Sequence, residues 1–89
     1  MPVPEFIKAL RSKVGHDLLH IPTVLVLIRD DTDRLLLVQD GDDGLWTAPG
    51  GIVDPFELPA NASVREAWEE AGVQVQLTAL VGVFSGELC

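Results

Sequence analysis

The chain has 89 residues, of which 47% are hydrophobic, enough to bury the core of one small domain. Fourteen acidic against six basic residues leave a net charge of −8. Such a chain repels nucleic-acid backbones and anionic membranes, having no basic stripe to displace counterions. No apolar span approaches membrane length, so a small-molecule partner is expected. The single cysteine, Cys89, closes no internal disulfide, which fits a reducing, cytoplasmic setting. Glu5, Lys8 and Arg11 give the first residues an amphipathic pattern rather than the apolar core of a signal peptide.

In chain order, Phe6, Ile7, Leu10 and Val14 recur at helical spacing before Gly15, which predicts an N-terminal helix from about Pro4 to Val14 within residues 1–15. His16 and His20 stand four apart, but Gly15 and Pro22 bracket them and no third ligand is near in sequence; they are read as surface residues rather than a zinc pair. Thr23 to Ile28 is a continuous β-branched-rich run. The polar turn Asp30-Asp31-Thr32-Asp33 follows, and then the apolar run Leu35 to Val38. This predicts a hairpin, with Arg29 and Arg34 at its flanks as solvated charges. Asp40-Gly41-Asp42-Asp43-Gly44 lacks the glycine offset and closing glutamate of an EF-hand and is read as a surface turn. Leu45 to Ala48 is a short strand. Trp46 in it is a candidate to stack on a base, against the ordinary role of an aromatic in the core.

A helix from about Pro59 to about Ala71 is next. Proline suits its first turn and Gly72 its end. Ala60, Val64, Ala67 and Ala71 form one stripe with Trp68 at its margin, expected to face the core, while Glu66, Glu69 and Glu70 gather on the opposite side. Beyond it, Val73, Val75 and Leu77 alternate with glutamines, and Leu80 to Phe84 is apolar; both are expected to be strands. One α+β domain over residues 1–89, a sandwich on a mixed sheet, is the predicted architecture.

Three carboxylates at the negative end of a helix dipole cost stability, roughly 0.2 to 0.5 kcal/mol for each like-charged pair and about 0.3 to 1 kcal/mol for an anion near the terminus. Arg65 offsets part of this at i,i+4 from Glu69. A hard divalent cation would offset more, because carboxylates one turn apart can share it. An isolated acidic run is usually a solvated face. Here the run belongs to a longer spacing, G-x5-E-x7-R-E-A-x-E-E-x-G-V, that fixes Gly51, Glu57, Arg65, Glu66, Glu69, Glu70 and Gly72. A chance match at one start is on the order of one in 10⁸ to 10⁹.

The segment Gly51 to Val73 resembles the signature box of the Nudix hydrolases, enzymes that cleave a nucleoside diphosphate linked to a further group, and Trp46 with Pro49-Gly50-Gly51 resembles the entry into it. The resemblance implies an α/β/α sandwich and a loop–helix–loop that holds Mg²⁺ or Mn²⁺. Glu66 and Glu70 are the implied ligands, Glu69 a third ligand or the base, and a carbonyl near Gly50 or Gly51 joins them. Arg65 is expected to orient Glu57, and Trp46 and Gly51 to lie against substrate. The charges agree, since a strongly acidic chain binds a pyrophosphate only where metal ions neutralise it.

Two departures from the family pattern are visible. Asp54-Pro55-Phe56 stands where a glycine often precedes the loop glutamate, so a differently shaped loop is expected. Leu58 occupies the capping position usually held by Ser or Thr. Nudix domains also continue through further strands and a second helix, so the chain is expected to be the front part of such a domain. Exposed sheet edges and an uncovered apolar helix face would then favour self-association, with a homodimer as one outcome. The alternative to an enzyme is an inactive Nudix-like fragment that binds without turnover.

Overall fold

The structure is a computed structural model and describes residues 3–84; Cys89 lies outside them. The elements in order are α1 (Glu5–Val14), β1 (Thr23–Leu25), β2 (Val38–Gln39), β3 (Trp46–Thr47), β4 (Gly50–Ile52) and α2 (Pro59–Ala71). The α+β class holds. Every described pairing is antiparallel, in two separate two-stranded ladders, β1 with β4 and β2 with β3, rather than in a single mixed sheet. No described helix is long and apolar enough to cross a membrane.

The ladder that carries the site joins β1 to β4, pairing Thr23 with Ile52, Val24 with Gly51 and Leu25 with Gly50. Two further bonds lengthen it: Val26 N–H donates to Pro49 O at 2.7 Å and Val53 N–H to Pro22 O at 3.0 Å. The apolar run reads as an alternating strand, with Val26 buried and Leu25 and Leu27 exposed. The hairpin expected between residues 23–28 and 35–38 shrinks to the bridge Arg29–Leu35 flanked by bonds from Leu36 N–H to Ile28 O and from Asp30 N–H to Arg34 O. The first strand pairs instead with the distant glycines. A Cβ at Gly50 would overlap the Val24 carbonyl, so only glycine permits this approach.

Both polar turns are built by their aspartates. Asp30 accepts from Thr32 N–H, Thr32 Oγ1 and Arg34 N–H, and these bonds hold its carboxyl down at about 2. In the β2–β3 turn, Asp40 Oδ1 accepts from Asp42 N–H at 2.7 Å and Asp43 Oδ1 from Leu45 N–H at 2.9 Å. The expected strands at 73–77 and 80–84 form no ladder among the described residues. Their alternation survives only as burial, with Val73 and Val75 half-buried and the glutamines exposed; a strand is completed by a partner rather than by its own pattern.

Helix α2 has the expected bounds. It ends at Gly72, which is left-handed (φ 66°, ψ 25°) and donates back to the last turn. Its orientation differs from the expectation. The buried residues are Ala62, Glu66 and Ala67, while Val64 and Trp68 are exposed, a rotation of roughly 100° at 3.6 residues per turn. Glu66 and Glu70 face β4 and the Val64 and Trp68 edge of the apolar stripe faces out, because two glycines on β4 leave room for carboxylates and Arg65 offsets part of their charge.

The Leu58 capping position is extended (φ −77°, ψ 145°) and makes no side-chain bond to the first turn. Leu58→Ser supplies that bond at an exposed site and is expected to stabilise the chain by about 1 kcal/mol. That is a rise of roughly 4 to 8 °C in Tm for a domain of this size, readable by circular dichroism.

Candidate functional site

Helix α2 projects Arg65 towards the loop that leaves β4. Its Nε and Nη2 donate to Glu57 Oε2 and Oε1, both at 2.8 Å, in a bidentate pair. The same Nη2 donates to Ile52 O at 3.1 Å, and Nη1 donates to Glu66 Oε1 at 2.9 Å and Glu69 Oε2 at 3.1 Å. Asp54 Oδ2 lies 3.5 Å from the guanidinium. The expected role of Arg65 in holding Glu57 is therefore observed, and Glu57 also accepts from Asp54 N–H at 3.0 Å. Asp54 and the Ile52 carbonyl were missed by sequence reasoning. The available signal was a turn closing on Glu57, whose own N–H donates to Asp54 O.

The other two box glutamates reach β4. Glu66 is 8% exposed, and a Cβ at Gly51 would overlap its carboxylate. Gly51 is thus required by close packing against Glu66. Glu70 Oε2 accepts from Gly50 N–H at 3.1 Å. Trp46 is 64% exposed, outside the core and outside both clefts described below.

Phe56 takes the positive φ (64°) that a glycine would adopt without strain, although its side chain is fully exposed. The loop turns as a glycine-bearing loop would, despite the Asp-Pro-Phe sequence. The pull of Arg65 on Glu57 holds it there.

A cleft of about 280 Å³ opens among Pro4, Asp54, Arg65, Glu66, Glu69 and Glu70. Glu70 also lines a second cleft of about 560 Å³, walled by Leu25, Val38, Asp40, Asp42, Thr47 and Gly50. Among the described residues no three His, Cys, Asp or Glu side chains are gathered to hold an ion. Glu69 turns to Arg65, and Glu70 to the Gly50 amide. The donor set nonetheless suits a hard cation, being all oxygen. The glycine cradle around Glu66 leaves its carboxylate desolvated beside excess negative charge. His16 and His20 are both exposed and belong to no such group.

Electrostatics separate the carboxylates. The Arg65 bonds, with the Asp54 amide, hold Glu57 at about 2 against an ordinary 4.5. Burial pushes Glu66 up, with Arg65 opposing and Glu69 and Glu70 adding to the rise. The guanidinium is raised further from its already high value, chiefly by Glu57. A carboxyl lowered on folding contributes stability above its unfolded pKa. The margin of the native chain over Glu57→Gln in urea midpoint should therefore be full above about pH 4.5 and vanish as pH falls towards about 2. Gly51→Ala should cost about 1 to 3 kcal/mol in the same measurement, because the new Cβ displaces Glu66.

The NUDIX domain model matches residues 19–88. A MutT-like protein of Streptomyces ambofaciens is 41% identical over 59 residues, covering 66% of this chain and 38% of that protein. A putative 8-oxo-dGTP diphosphatase of Bacillus subtilis (strain 168) is 42% identical over 59 residues, 66% of this chain and 40% of its own length. Human diphosphoinositol polyphosphate phosphohydrolase 2 is 41% identical over 59 residues, 65% of this chain and 33% of that protein. The match thus spans two fifths or less of these curated relatives. The box spacing, the Arg65–Glu57 pair and a family match over most of the chain agree: it belongs to the Nudix family.

Proposed function

We propose that this chain carries the cutting site of a metal-dependent hydrolase that breaks a pyrophosphate bond in a nucleoside diphosphate linked to another group. The observation that supports this most directly is the placement of Glu66 and Glu70 against the two glycines of β4, with Arg65 fixing Glu57 beside them. Relatives named as a diphosphatase and a phosphohydrolase point the same way.

In this reading Glu66 and Glu70 hold Mg²⁺ or Mn²⁺, with backbone oxygen near Gly50. An ion held there would supply positive charge against phosphate oxygens and would acidify a water. Glu69, exposed and reached by Arg65, would be the carboxylate to accept a proton from the attacking water. Arg65 keeps Glu57, Glu66 and Glu69 from scattering under mutual repulsion and so sets their spacing before substrate arrives. A cytoplasmic location and a nucleotide substrate fit the acidic, cysteine-poor composition.

The test is product release from ADP-ribose, dinucleoside polyphosphates and nucleoside triphosphates with Mg²⁺ or Mn²⁺. Glu66→Gln and Glu70→Gln should each lower kcat/KM by about 10²-fold or more, several kcal/mol of charge stabilisation. Binding of metal and nucleotide without product in the native chain would overturn catalysis in favour of a binding module.

A further inference from the structure

Val3 and Pro4, just ahead of α1, line the smaller cleft together with Arg65 and the three glutamates of α2. The helix that carries them there is lightly fastened. Ile7 is its one buried residue, at 6% exposure. Among the described residues, every hydrogen bond made by α1 stays within residues 4–17 and so reaches neither α2 nor a strand. The N-terminal end at Pro4 has no side-chain cap. A helix of ten residues is shorter than the ~12–15 that hold together in isolation, so α1 depends on the seat of Ile7. At its other end Gly15 takes a positive φ (63°), and residues 16–22 beyond it belong to no helix or strand.

We propose that Val3–Ile7 is a strap across the candidate cutting site, and that Ile7 must leave its seat, with the chain hinging at Gly15, for a diphosphate with its ion to enter the smaller cleft. Pro4 has no N–H and the Val3 side chain is apolar, so the strap offers phosphate oxygens no side-chain donor and displaces their water, which costs free energy. With the strap in place the cleft measures about 280 Å³, below the roughly 300–1,000 Å³ of pockets that take a drug-sized ligand. An ion with a few waters fits beneath; a diphosphate meets the wall. The proposal rests on the hydrolase reading in one respect, that a diphosphate and its ion enter this cleft.

The probes are imidodiphosphate, a non-hydrolysed diphosphate, and Mn²⁺ alone. In the native chain, amide hydrogen exchange over residues 5–14 should quicken when imidodiphosphate and Mg²⁺ are added together and stay unchanged with Mg²⁺ alone, because a released α1 loses its helix. By calorimetry, Ile7→Ser should bind imidodiphosphate with Mg²⁺ about tenfold more tightly, the gain expected where the strap is open in roughly one native chain in ten. Its affinity for Mn²⁺ alone should stay within about twofold of native. Val3→Gly, which trims the wall and leaves Ile7 seated, should gain less. Slower exchange with imidodiphosphate, the mark of a lid closing over its ligand, overturns the strap. So does an unchanged affinity in Ile7→Ser, or an equal gain for Mn²⁺ alone. Should Ile7→Ser fail to fold, the exchange measurement on the native chain decides. Strap effects without product from any nucleotide sink only the hydrolase reading, product without strap effects sinks only the strap, and absence of binding in every form sinks both.

Discussion

One guanidinium organises the region that matters. Arg65 donates to both oxygens of Glu57, to Glu66, to Glu69 and to the Ile52 carbonyl, with Asp54 close by. It thereby ties α2, the end of β4 and the loop between them. An arginine can do this because its planar fork of donors stays charged in any setting, whereas a lysine offers a point charge that burial can neutralise. Four carboxylates share that one cation, so the arrangement keeps excess negative charge. Stability alone would not select such a surplus at a helix terminus with no basic residue in its last turn.

Glu66 shows the same tension in one side chain. Burial against Gly51 disfavours its charge, and a single bond from Arg65 compensates only in part. An apolar residue there would pack at lower cost. Shifted ionisation of this kind is concentrated at functional sites, and Glu66 combines it with close packing against Gly51.

The legible and illegible parts of the sequence divide along physical lines. The limits of α2 were readable because they are local: Pro59 fits the first turn and Gly72 the left-handed end, whatever surrounds them. The face that α2 buries was not readable. Alanines lie on several sides of the helix, and the choice was made by Gly50 and Gly51 from another element. The pairing of β1 was hidden for the same reason: a nearby apolar run looked like its partner, and the close approach that only glycine allows lay further along the chain. Phe56 misled in the opposite sense, since its residue type argued against a left-handed turn that the Glu57–Arg65 bonds impose.

The inner face of α2 offers little apolar area, mainly Ala62 and Ala67, while Leu58, Val64 and Trp68 remain exposed. The uncovered apolar face expected on this helix is thus present among the described residues. Alanine burial alone discriminates weakly between helix rotations, because each methyl contributes little area. What fixes the rotation is polar: Arg65 to Glu57 and Ile52, Glu66 against Gly51, and Glu70 to the Gly50 amide. The bonds that seat the helix and the bonds that shape the site are therefore the same bonds. A change of charge at any of these carboxylates therefore acts on helix docking and on the geometry of the candidate site together.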